Sequence, residues 1–269
     1  MIKFFSFLET IVIFIKRKAL FLIYSNLYNE KKELKKQNIL FKNFRLNREK
    51  AVNFLNQTKK KFNINNKTMS SEHEILFSAL SIKRNKIKKI LEIGTYDGSN
   101  SFLLSKLFPN ATIETMDLKD NDNKFINSYN RDNSSIYNKL IKERNINIKL
   151  DKKIKYIKKN SIKLIFCKKK YDLIWVDGDH GYPTAAIDII NSLRLIKEKG
   201  YILIDDIFMK KIKHFDSMYE SIASYETLHE LKKEKIIDFT LLFKRLDEKN
   251  NCIPFFQKYV AIIHKIKKN

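Results

Sequence analysis

Apolar and polar residues follow two different rhythms along this chain, and the change between them falls near residue 70. From 29 to 66 the apolar residues recur at helical spacing, which predicts a pair of helices. Beyond residue 70, short Ile- and Val-rich runs alternate with stretches of helical periodicity, a pattern typical of a parallel sheet covered by helices on both faces. We therefore divide the chain into a helical extension, residues 1–69, and an α/β domain, residues 70–269.

Seven apolar runs in the second part have the length of strands. They are Lys89–Ile93, Thr112–Asp117, Ile154–Lys159, Asp172–Val176, Tyr201–Ile204, Phe239–Phe243 and Tyr259–Ile266. Helices are predicted over 99–108, 124–144 and 184–196, and the hydroxyls of Ser70 and Ser71 suit the cap of an earlier helix. Because no long helix separates the last two strands, they are predicted to form an antiparallel hairpin at the edge of a mostly parallel sheet.

The composition bounds the class of protein without identifying it. A hydrophobic content of 43% excludes a disordered polyelectrolyte. The net charge of +24 permits nucleic acid or an anionic membrane as a partner, but Lys, Asn and Ile are abundant throughout, which favours a biased composition over a dedicated surface. Cys167 and Cys252 lie far apart, as reduced thiols in a cytoplasmic protein would.

Residues 1–24 are strongly apolar, but Glu9 and the cluster Lys16-Arg17-Lys18 interrupt the run. Neither half reaches the ~20 residues that span a bilayer, and no small-residue cleavage site for a signal peptide follows Tyr24. Two interpretations stay open. The segment lies on a membrane surface as a peripheral helix, or, the interpretation we favour, it packs on the domain or on a second subunit of a homo-oligomer.

Four of the five glycines lie in two short motifs. Gly94 and Gly98 belong to the loop Glu92-Ile-Gly-Thr-Tyr-Asp-Gly98, and the other two to Asp177-Gly-Asp-His-Gly181, whereas Gly200 is predicted to be a turn between helix and strand. Both motifs follow predicted strands, and ligands of parallel sheets bind beyond the carboxyl ends of the strands. Glycine is needed where the backbone takes a positive φ or approaches a ligand closely. We therefore predict that these two loops form the ligand-binding edge of the sheet.

An acidic residue, Asp117, ends the second predicted strand 23 residues after Gly94. A carboxylate at that place accepts hydrogen bonds from the hydroxyls of a ribose. The first loop has the spacing Glu-x-Gly-x-x-x-Gly and lacks the G-x-G-x-x-G fingerprint of a dinucleotide site. The pattern therefore predicts a site for a nucleoside-type cofactor.

This loop resembles motif I of class I S-adenosylmethionine-dependent methyltransferases. Asp117, the run Lys159-Asn160-Ser161 and the run Tyr171–His180 follow in the order that the family has. The strings Asp177-Gly-Asp-His180 and Leu203-Ile-Asp-Asp206 resemble its small-molecule O-methyltransferase branch, which includes the catechol, caffeoyl-CoA and macrocin enzymes and the "methyltransferase domain 24" type. The resemblance covers about residues 70–269. It implies a Rossmann-like fold with a seven-stranded sheet and S-adenosylmethionine as cofactor.

The resemblance also assigns residues to the cofactor. Asp117 binds the ribose, and Asn160 and Ser161 stand near the adenine, although Lys159-Asn160 replaces the usual Gly-Asp. The predicted cofactor-binding residues are Glu92, Gly94, Thr95, Tyr96, Gly98, Asn100, Ser101, Asp117, Leu118, Asn160, Ser161 and Asp177.

Methyl transfer to a hydroxyl requires that the acceptor be held in line and lose its proton. Asp177, Asp205 and Asp206 follow or end adjacent predicted strands, which lie ~4.8 Å apart, so their carboxylates can converge on one ion. Oxygen ligands favour Mg²⁺, Ca²⁺ or Mn²⁺, and in the resembled enzymes the same three positions hold the metal. Asp177 and His180 are the predicted catalytic residues, with His180 as general base or further ligand.

Other candidates have a structural and a functional interpretation. Trp175 lies in an apolar strand and is predicted to be a core residue, and His73, His214, His229 and His264 are predicted to be structural. Tyr96 and Tyr182 lie in motif loops and either contact ligands or only face solvent. The stretch carrying Tyr129, Arg131 and Asp132 is either a lid or a plain surface helix.

The sequence thus predicts a methyltransferase that uses S-adenosylmethionine, assisted by a divalent cation, on a hydroxyl of a small molecule or glycan. One alternative is a nucleic-acid methyltransferase, which the charge permits, although Asp-Gly-Asp-His stands where amino-methylating enzymes carry Asn/Asp-Pro-Pro-Tyr/Phe. The other is a membrane-associated scaffold that binds the cofactor without turnover. Loss of the acidic triad would favour the scaffold, and the triad is present.

Overall fold

One seven-stranded sheet organises the chain. The computed structural model describes residues 12, 15–16, 18–64, 72–83, 86–209, 221–247 and 251–266. The strands run in the order β3-β2-β1-β4-β5-β7-β6, with β1 to β5 parallel and with β7 antiparallel to both of its neighbours. This confirms the predicted sheet and its antiparallel edge hairpin. The strands are β1 Lys89–Ile93, β2 Thr112–Asp117, β3 Ile154–Lys158, β4 Tyr171–Val176, β5 Ile196–Ile207, β6 Ile237–Phe243 and β7 Tyr259–Ile266.

Within the described residues, eight helices that we label α1 to α8 accompany the sheet, in addition to the helical residues 18–25. Asn29 and Asn47 cap the first two, each with its side-chain oxygen accepting a hydrogen bond from the backbone two or three residues into the helix. Ser70 and Ser71, the predicted caps of the third, lie outside the described residues. The helices are α1 Glu30–Asn43, α2 Arg48–Lys61, α3 Glu72–Lys83, α4 Ser99–Leu107, α5 Asn123–Ile126, α6 Ser134–Lys149, α7 Thr184–Leu195 and α8 Ala223–Lys233.

The sheet is buried on both faces. Along β4, Leu173 and Trp175 belong to one hydrophobic cluster, whereas Ile174 and Val176 belong to the other. This split follows from the two-residue period of a strand, whose successive side chains point to opposite faces. Trp175 is fully buried and packs edge-on against Phe77 at 5.0 Å between ring centroids, so its prediction as a core residue is confirmed.

The helices of the extension pack into the same core. Phe41 and Leu46 at the end of α1, and Ala51 and Leu55 of α2, are buried in the cluster that contains Trp175. Apolar burial at about 25 cal/mol per Å² is the main source of stability in such a contact. The two helices predicted between residues 29 and 66 are therefore present, and they lie against the α/β domain.

Polar contacts also join the extension to the domain. Gln37 of α1 is buried, and it accepts a hydrogen bond from Phe243 N and donates one to Phe243 O, both at 3.0 Å. Arg48 pairs with Glu72, and Lys59 Nζ lies 2.6 Å from Glu74 Oε2. The hydrogen bonds of Gln37 satisfy backbone groups of Phe243, at the end of β6, that would otherwise be open to another strand, and the two ion pairs join α2 to the start of α3.

Of residues 1–24, for which two interpretations stay open, 1–11, 13–14 and 17 lie outside the described residues. Residues 18–25 are helical. Among the residues that the structure describes, no helix is both long enough and apolar enough to cross a membrane.

The long helix predicted over residues 124–144 was wrong, because two helices occupy this region. Asp122 Oδ1 accepts a hydrogen bond from Lys124 N at the start of α5, and Asn133 Oδ1 accepts one from Ser135 N at the start of α6. Between them, Tyr129 and Asn130 take positive φ values of 57° and 56°. The two side-chain caps mark two separate helix starts, and the left-handed pair interrupts the helical backbone between them. Helical periodicity alone does not reveal such a break.

Gly200 was also predicted wrongly, since it lies inside β5 and not in a turn before it. The register of β5 against β4 shifts here: Ile196 pairs with Tyr171, and Tyr201 pairs with Leu173. Several residues of β5 therefore face a single residue of β4, as in a bulge. A Cβ at position 200 would lie 2.6 Å from Ile196 Cδ1, so glycine suits this crowded irregularity.

Candidate functional site

The loop between β1 and α4 depends on its two glycines. Gly94 has φ +95° and donates a backbone hydrogen bond to Met116 O at 2.8 Å. A Cβ at Gly94 would lie 2.0 Å from Asp177 O, so only glycine lets this loop pass the end of β4. Gly98, with φ +72°, stands at the N-cap of α4. The loop thus presents bare backbone at the carboxyl edge of the sheet.

Asp117, at the end of β2, holds this loop. Its Oδ2 accepts hydrogen bonds from Thr95 N and Tyr96 N, both at 3.2 Å, and its Oδ1 accepts one from Leu118 N at 2.8 Å. A carboxylate has about four acceptor positions, so Oδ1 retains capacity for a further donor. Asp117 is half-buried, which keeps that capacity open to a ligand.

Glu92 lies behind the loop and not on its open side. It is buried, and its carboxylate accepts hydrogen bonds from Asn100 Nδ2 at 2.7 Å and from Ser101 Oγ. Burial raises the pKa of Glu92 to about 7, against the opposing effect of these hydrogen bonds. Thr95, also buried, shares a hydroxyl hydrogen bond of 2.7 Å with Thr115. These three hydrogen bonds fix α4 and the loop to the sheet.

Asn160 and Ser161, predicted to stand near an adenine, follow β3 at the same edge. Lys159 N donates to Asp117 O at 2.8 Å, which places this segment beside the end of β2. Asn160 Oδ1 accepts a hydrogen bond from Ile162 N at 3.0 Å and caps a short 3₁₀ helix, Ser161–Phe166. The structure therefore brings Asp117 and Asn160 to one side of the motif loop.

A guanidinium among aromatic rings closes the outer side of that loop. Arg131, between α5 and α6, is buried, and its Cζ lies 4.1 Å from the ring centroid of Phe125, 5.0 Å from that of Tyr129 and 5.7 Å from that of Tyr96. Such cation–π contacts stabilise the segment. The stretch predicted as a lid or a surface helix is thus a folded loop against Tyr96. Tyr96 is still 52% exposed, and Asp132 is exposed.

The second motif brings an imidazole between two carboxylates. His180 Nε2 lies 3.7 Å from Asp177 Oδ1 and 3.6 Å from Asp206 Oδ2. His180 is buried, and burial lowers its pKa. Asp177 is partly exposed, and its pKa is raised by desolvation and then by Asp205. The predicted catalytic pair, Asp177 and His180, is therefore assembled next to the loop that Gly94 forms.

Two lysines in this cluster were not identified from the sequence. Lys244 Nζ lies 2.5 Å from Asp205 Oδ2 and also contacts Asp206 Oδ1, and Lys258 Nζ lies 3.1 Å from Asp206 Oδ2. Desolvation would lower the pKa of Lys244, but the carboxylates of Asp205 and Asp206 outweigh it and raise that pKa. A lysine after an apolar strand carries no signal in the sequence, because only the hairpin topology brings it to β5.

These lysines bear on the predicted metal site of Asp177, Asp205 and Asp206. A divalent cation needs the free oxygen atoms of its carboxylates at about 2.0–2.6 Å, and here the ammonium of Lys244 takes one oxygen of each of two ligands. Within the described part of the chain, no group of three or more His, Cys, Asp or Glu side chains is arranged to hold a metal ion. The residues present therefore do not fit the predicted divalent cation.

A buried carboxyl group beneath the second motif was also missed. Asp188 of α7 is fully buried, and among the described residues neither of its carboxyl oxygens has a hydrogen-bond partner. Its Oδ2 would lie 3.4 Å from a Cβ placed on Gly178. Burial raises the pKa of Asp188 to about 7. In the sequence, Asp188 lies within a stretch of apolar helical periodicity, and nothing there indicates that it packs beneath the second motif.

The remaining candidates lie apart from this cluster or behind it. Tyr182 is 81% exposed. His73 is buried and stacks on Trp175 at 5.4 Å between ring centroids, and burial lowers its pKa to about 4, which agrees with its structural interpretation. His229 lies on α8 beside Tyr225. His214 and the side chain of His264 lie outside the described residues.

Comparison with known proteins points to one family. Residues 91–207 match the family model described as "Methyltransferase domain" (Methyltransf_24). This match runs from β1 to the end of β5 and so includes Glu92, both glycine motifs and Asp205 and Asp206. No curated protein sequence is similar enough to the chain to count as a match.

Solved structures resemble the fold. An O-methyltransferase from Bacillus cereus in complex with SAH is 15% identical, with a TM-score of 0.50, over 80% of this chain and 91% of that chain. Cofactor-bound Rv0187 from MTB is 14% identical, with a TM-score of 0.53, over 81% of this chain and 90% of that one. At this level of identity the likeness shows a common fold.

Proposed function

We propose that this chain, whose residues 91–207 match the model of a methyltransferase domain, uses S-adenosylmethionine to methylate a hydroxyl group of a small molecule or a glycan. One observation carries the proposal. Gly94, at φ +95°, leads the motif loop past the end of β4, so that the backbone held by Asp117 and the pair Asp177 and His180 lie at the same edge of the sheet.

The residues at this edge suit S-adenosylmethionine. Asp117 Oδ1 has remaining acceptor capacity for a ribose hydroxyl, and the motif loop is held beside it because Thr95 N and Tyr96 N donate hydrogen bonds to Asp117 Oδ2. Asn160 stands beside Asp117 on the next segment, and Tyr96 offers an exposed ring. When bound, the cofactor supplies a methyl group on a positively charged sulfur, which an oxygen nucleophile displaces.

We assign activation of the acceptor hydroxyl to the second motif. A hydroxyl must lose its proton to become an effective nucleophile, and a positioned imidazole contributes about 10²–10⁴-fold to such a step. We assign this role to His180, whose Nε2 lies within 4 Å of Asp177 and of Asp206. The two carboxylates orient the ring and stabilise the imidazolium that forms. Divalent-metal assistance is not part of the proposal, because the ammonium of Lys244 engages Asp205 and Asp206.

A methyl-transfer assay tests the function. The purified protein is incubated with methyl-labelled S-adenosylmethionine and separate panels of phenols, sugars and lipid-linked glycans, and label is expected on a hydroxyl oxygen. His180→Asn should lower kcat about 100-fold while binding of S-adenosylhomocysteine persists. His229→Asn is the matched control, because His229 lies on α8, away from the motif loops. Equal kcat values for the two variants would remove His180 from the mechanism.

The charge of +24 keeps nucleic acid in the same assay as a second acceptor class. Phosphate contacts by Lys and Arg give affinity that falls steeply with salt. Label transferred to RNA or DNA, with no transfer to any hydroxyl compound, would replace the proposed acceptor class.

We place the activity in the cytoplasm. The chain has two cysteines, Cys167 and Cys252, which lie far apart in the sequence and form no CxxC motif. So few cysteines without such spacing are usual where glutathione and thioredoxin keep thiols reduced. Fractionation of cells at low and at high salt tests this location, and it also decides whether residues 1–24 contact a membrane surface or pack on the protein.

A further inference from the structure

Lys244 reaches the site from the far edge of the sheet. It directly follows β6, and its backbone N–H donates to Lys258 O at 2.9 Å, which closes the end of the β6–β7 hairpin. Its side chain is 8% exposed and extends past β7 to the carboxyl end of β5. Burying an ammonium group costs free energy unless charges and hydrogen bonds compensate it. The buried ammonium group of Lys244 therefore needs negatively charged partners, and the acidic residues at the end of β5 provide them.

Asp205 and Asp206 are those partners. Lys244 Nζ bridges the two carboxylates, with 2.5 Å to Asp205 Oδ2 and a contact to Asp206 Oδ1. Asp206 takes φ +52°, an uncommon backbone conformation for a residue with a side chain, and this turns its carboxylate toward the hairpin. Its second oxygen receives Lys258 Nζ at 3.1 Å and lies 3.6 Å from His180 Nε2.

Lys244 and Lys258 together engage three of the four carboxylate oxygens of Asp205 and Asp206; among the described residues, the fourth, Asp205 Oδ1, has no hydrogen-bond partner. A Mg²⁺ ion binds carboxylate oxygens at about 2.0–2.1 Å in strict geometry, and an ion bound to this pair would stand close to the ammonium nitrogen. Two like charges at such a distance repel each other strongly in a site of low dielectric. Three carboxylates and two ammonium groups leave a formal charge of −1, compared with −3 for the carboxylates alone. Most of the attraction for a divalent ion is thereby removed.

We propose that Lys244 is a built-in cation: its ammonium group stands in for a divalent metal ion at the end of β5, keeps Asp205 and Asp206 paired, and makes the site independent of divalent cations. Lys244 acts as a positioning residue, since it fixes the carboxylate of Asp206 that faces His180. The statement about catalysis rests on the proposed methyl transfer. The statement about cation binding does not, and it can be tested on the protein whatever its acceptor.

Binding of Mn²⁺ tests the cation statement directly. Free Mn²⁺ gives a sharp electron paramagnetic resonance signal that is lost on binding, so a titration counts bound ions. The wild-type protein should bind no stoichiometric Mn²⁺, whereas Lys244→Ala, which frees one oxygen of Asp205 and one of Asp206, should bind one equivalent. Lys197→Ala is the matched control. It removes a lysine whose Nζ lies 2.7 Å from Asp172 Oδ1 at the opposite end of β4, and it should bind none.

Three results would overturn the proposal. One is a wild-type protein that binds one equivalent of Mn²⁺, which needs no variant to fold. Another is a Lys244→Ala protein with native circular dichroism that gains no Mn²⁺, because a merely structural lysine would leave no cation site behind. The third is Mn²⁺ bound equally by Lys197→Ala.

Measurement of methyl-transfer activity is the second test of the proposal. With an acceptor in hand, the wild-type rate should be the same in EDTA and in excess Mg²⁺, and Lys244→Ala should lose about 100-fold of that rate, partly restored by Mn²⁺. Inhibition of the wild type by EDTA would overturn the proposal while leaving methyl transfer established. Conversely, failure to find any methyl transfer would remove the proposed function and leave the Mn²⁺ result standing.

Discussion

Gly94 shows how much of the site depends on single residues. The loop that it forms passes so close to the end of β4 that the position tolerates no Cβ, and its φ of +95° is one that other residues rarely adopt. Gly181, in the second motif, has neither constraint: a Cβ there would first meet the exposed Asp179 side chain, at 3.2 Å. Two glycines in similar motifs thus have different physical reasons to be glycine.

Gly94→Ala is expected to lower the free energy of unfolding by about 2–4 kcal/mol, from backbone strain and overpacking against Asp177 O. Gly181→Ala should lower it by less than about 1 kcal/mol. Urea unfolding measures both. Equal losses for the two variants would contradict the close approach at Gly94.

Asp188 gives a pH dependence of defined sign. Its pKa is about 7 in the folded protein and ordinarily 3.8, so the folded state binds more protons than the unfolded state between these values. The free energy of unfolding therefore falls as the pH rises from about 4 to about 7, by roughly 3 kcal/mol from this group. Asp188→Asn, which has no charge to bury, should lack this part of the dependence of the free energy of unfolding on pH.

Urea unfolding at pH 5 and pH 8 tests this sign. Asp188→Asn should be more stable than the wild type at pH 8 and close to it at pH 5. Asp172→Asn is the control of opposite sign, because Lys197 holds the pKa of Asp172 below its ordinary value against the effect of burial; its loss should cost the same at pH 5 and pH 8, and less at pH 3. An unchanged difference between Asp188→Asn and the wild type at both pH values would contradict the burial of this carboxyl.

At the scale of elements, the sequence predicted those helices and strands that depend only on the residues within them. The bounds of β1 and β2 and the antiparallel hairpin follow from apolar runs and from the absence of a helix between the last strands. The division of residues 124–144 into α5 and α6 did not follow, since two side-chain caps outweigh the helical periodicity. Lys244 could not be found, because its role arises only when β7 inserts between β5 and β6.

The helices of the extension are elements of the same core, and one pair of variants tests this. Phe41→Ala should lower the free energy of unfolding by about 3–5 kcal/mol, because Phe41 is fully buried. Phe54→Ala, at a position that is 37% exposed, should cost about 1 kcal/mol or less.

Trp175, the single tryptophan, reports the unfolding of the sheet by fluorescence. If α1 and α2 share the core, Phe41→Ala will shift the denaturation midpoint seen by Trp175. A Trp175 transition unchanged by Phe41→Ala would show that the extension unfolds as a separate unit.

At the scale of the whole molecule, one edge of one sheet gathers the chemistry. The ends of β1, β2 and β4 bring together the motif loop, Asp117 and the pair Asp177 and His180, and β5 adds the carboxylates that Lys244 bridges. The sequence predicted this edge because parallel strands end together. It could not predict the balance of charge there, which depends on a lysine 38 residues beyond Asp206. The net charge of +24 is by contrast a property of the whole surface.

Calorimetric titration with S-adenosylmethionine tests the central claim most directly. We expect one equivalent to bind to the wild type with or without EDTA, and Asp117→Ala to bind about 100-fold more weakly through the loss of charged hydrogen bonds. Asp122→Ala, which removes only the cap of α5, should bind as the wild type does. Absence of binding to the wild type, or equal affinity of Asp117→Ala, would contradict a cofactor site on the loop that Asp117 holds.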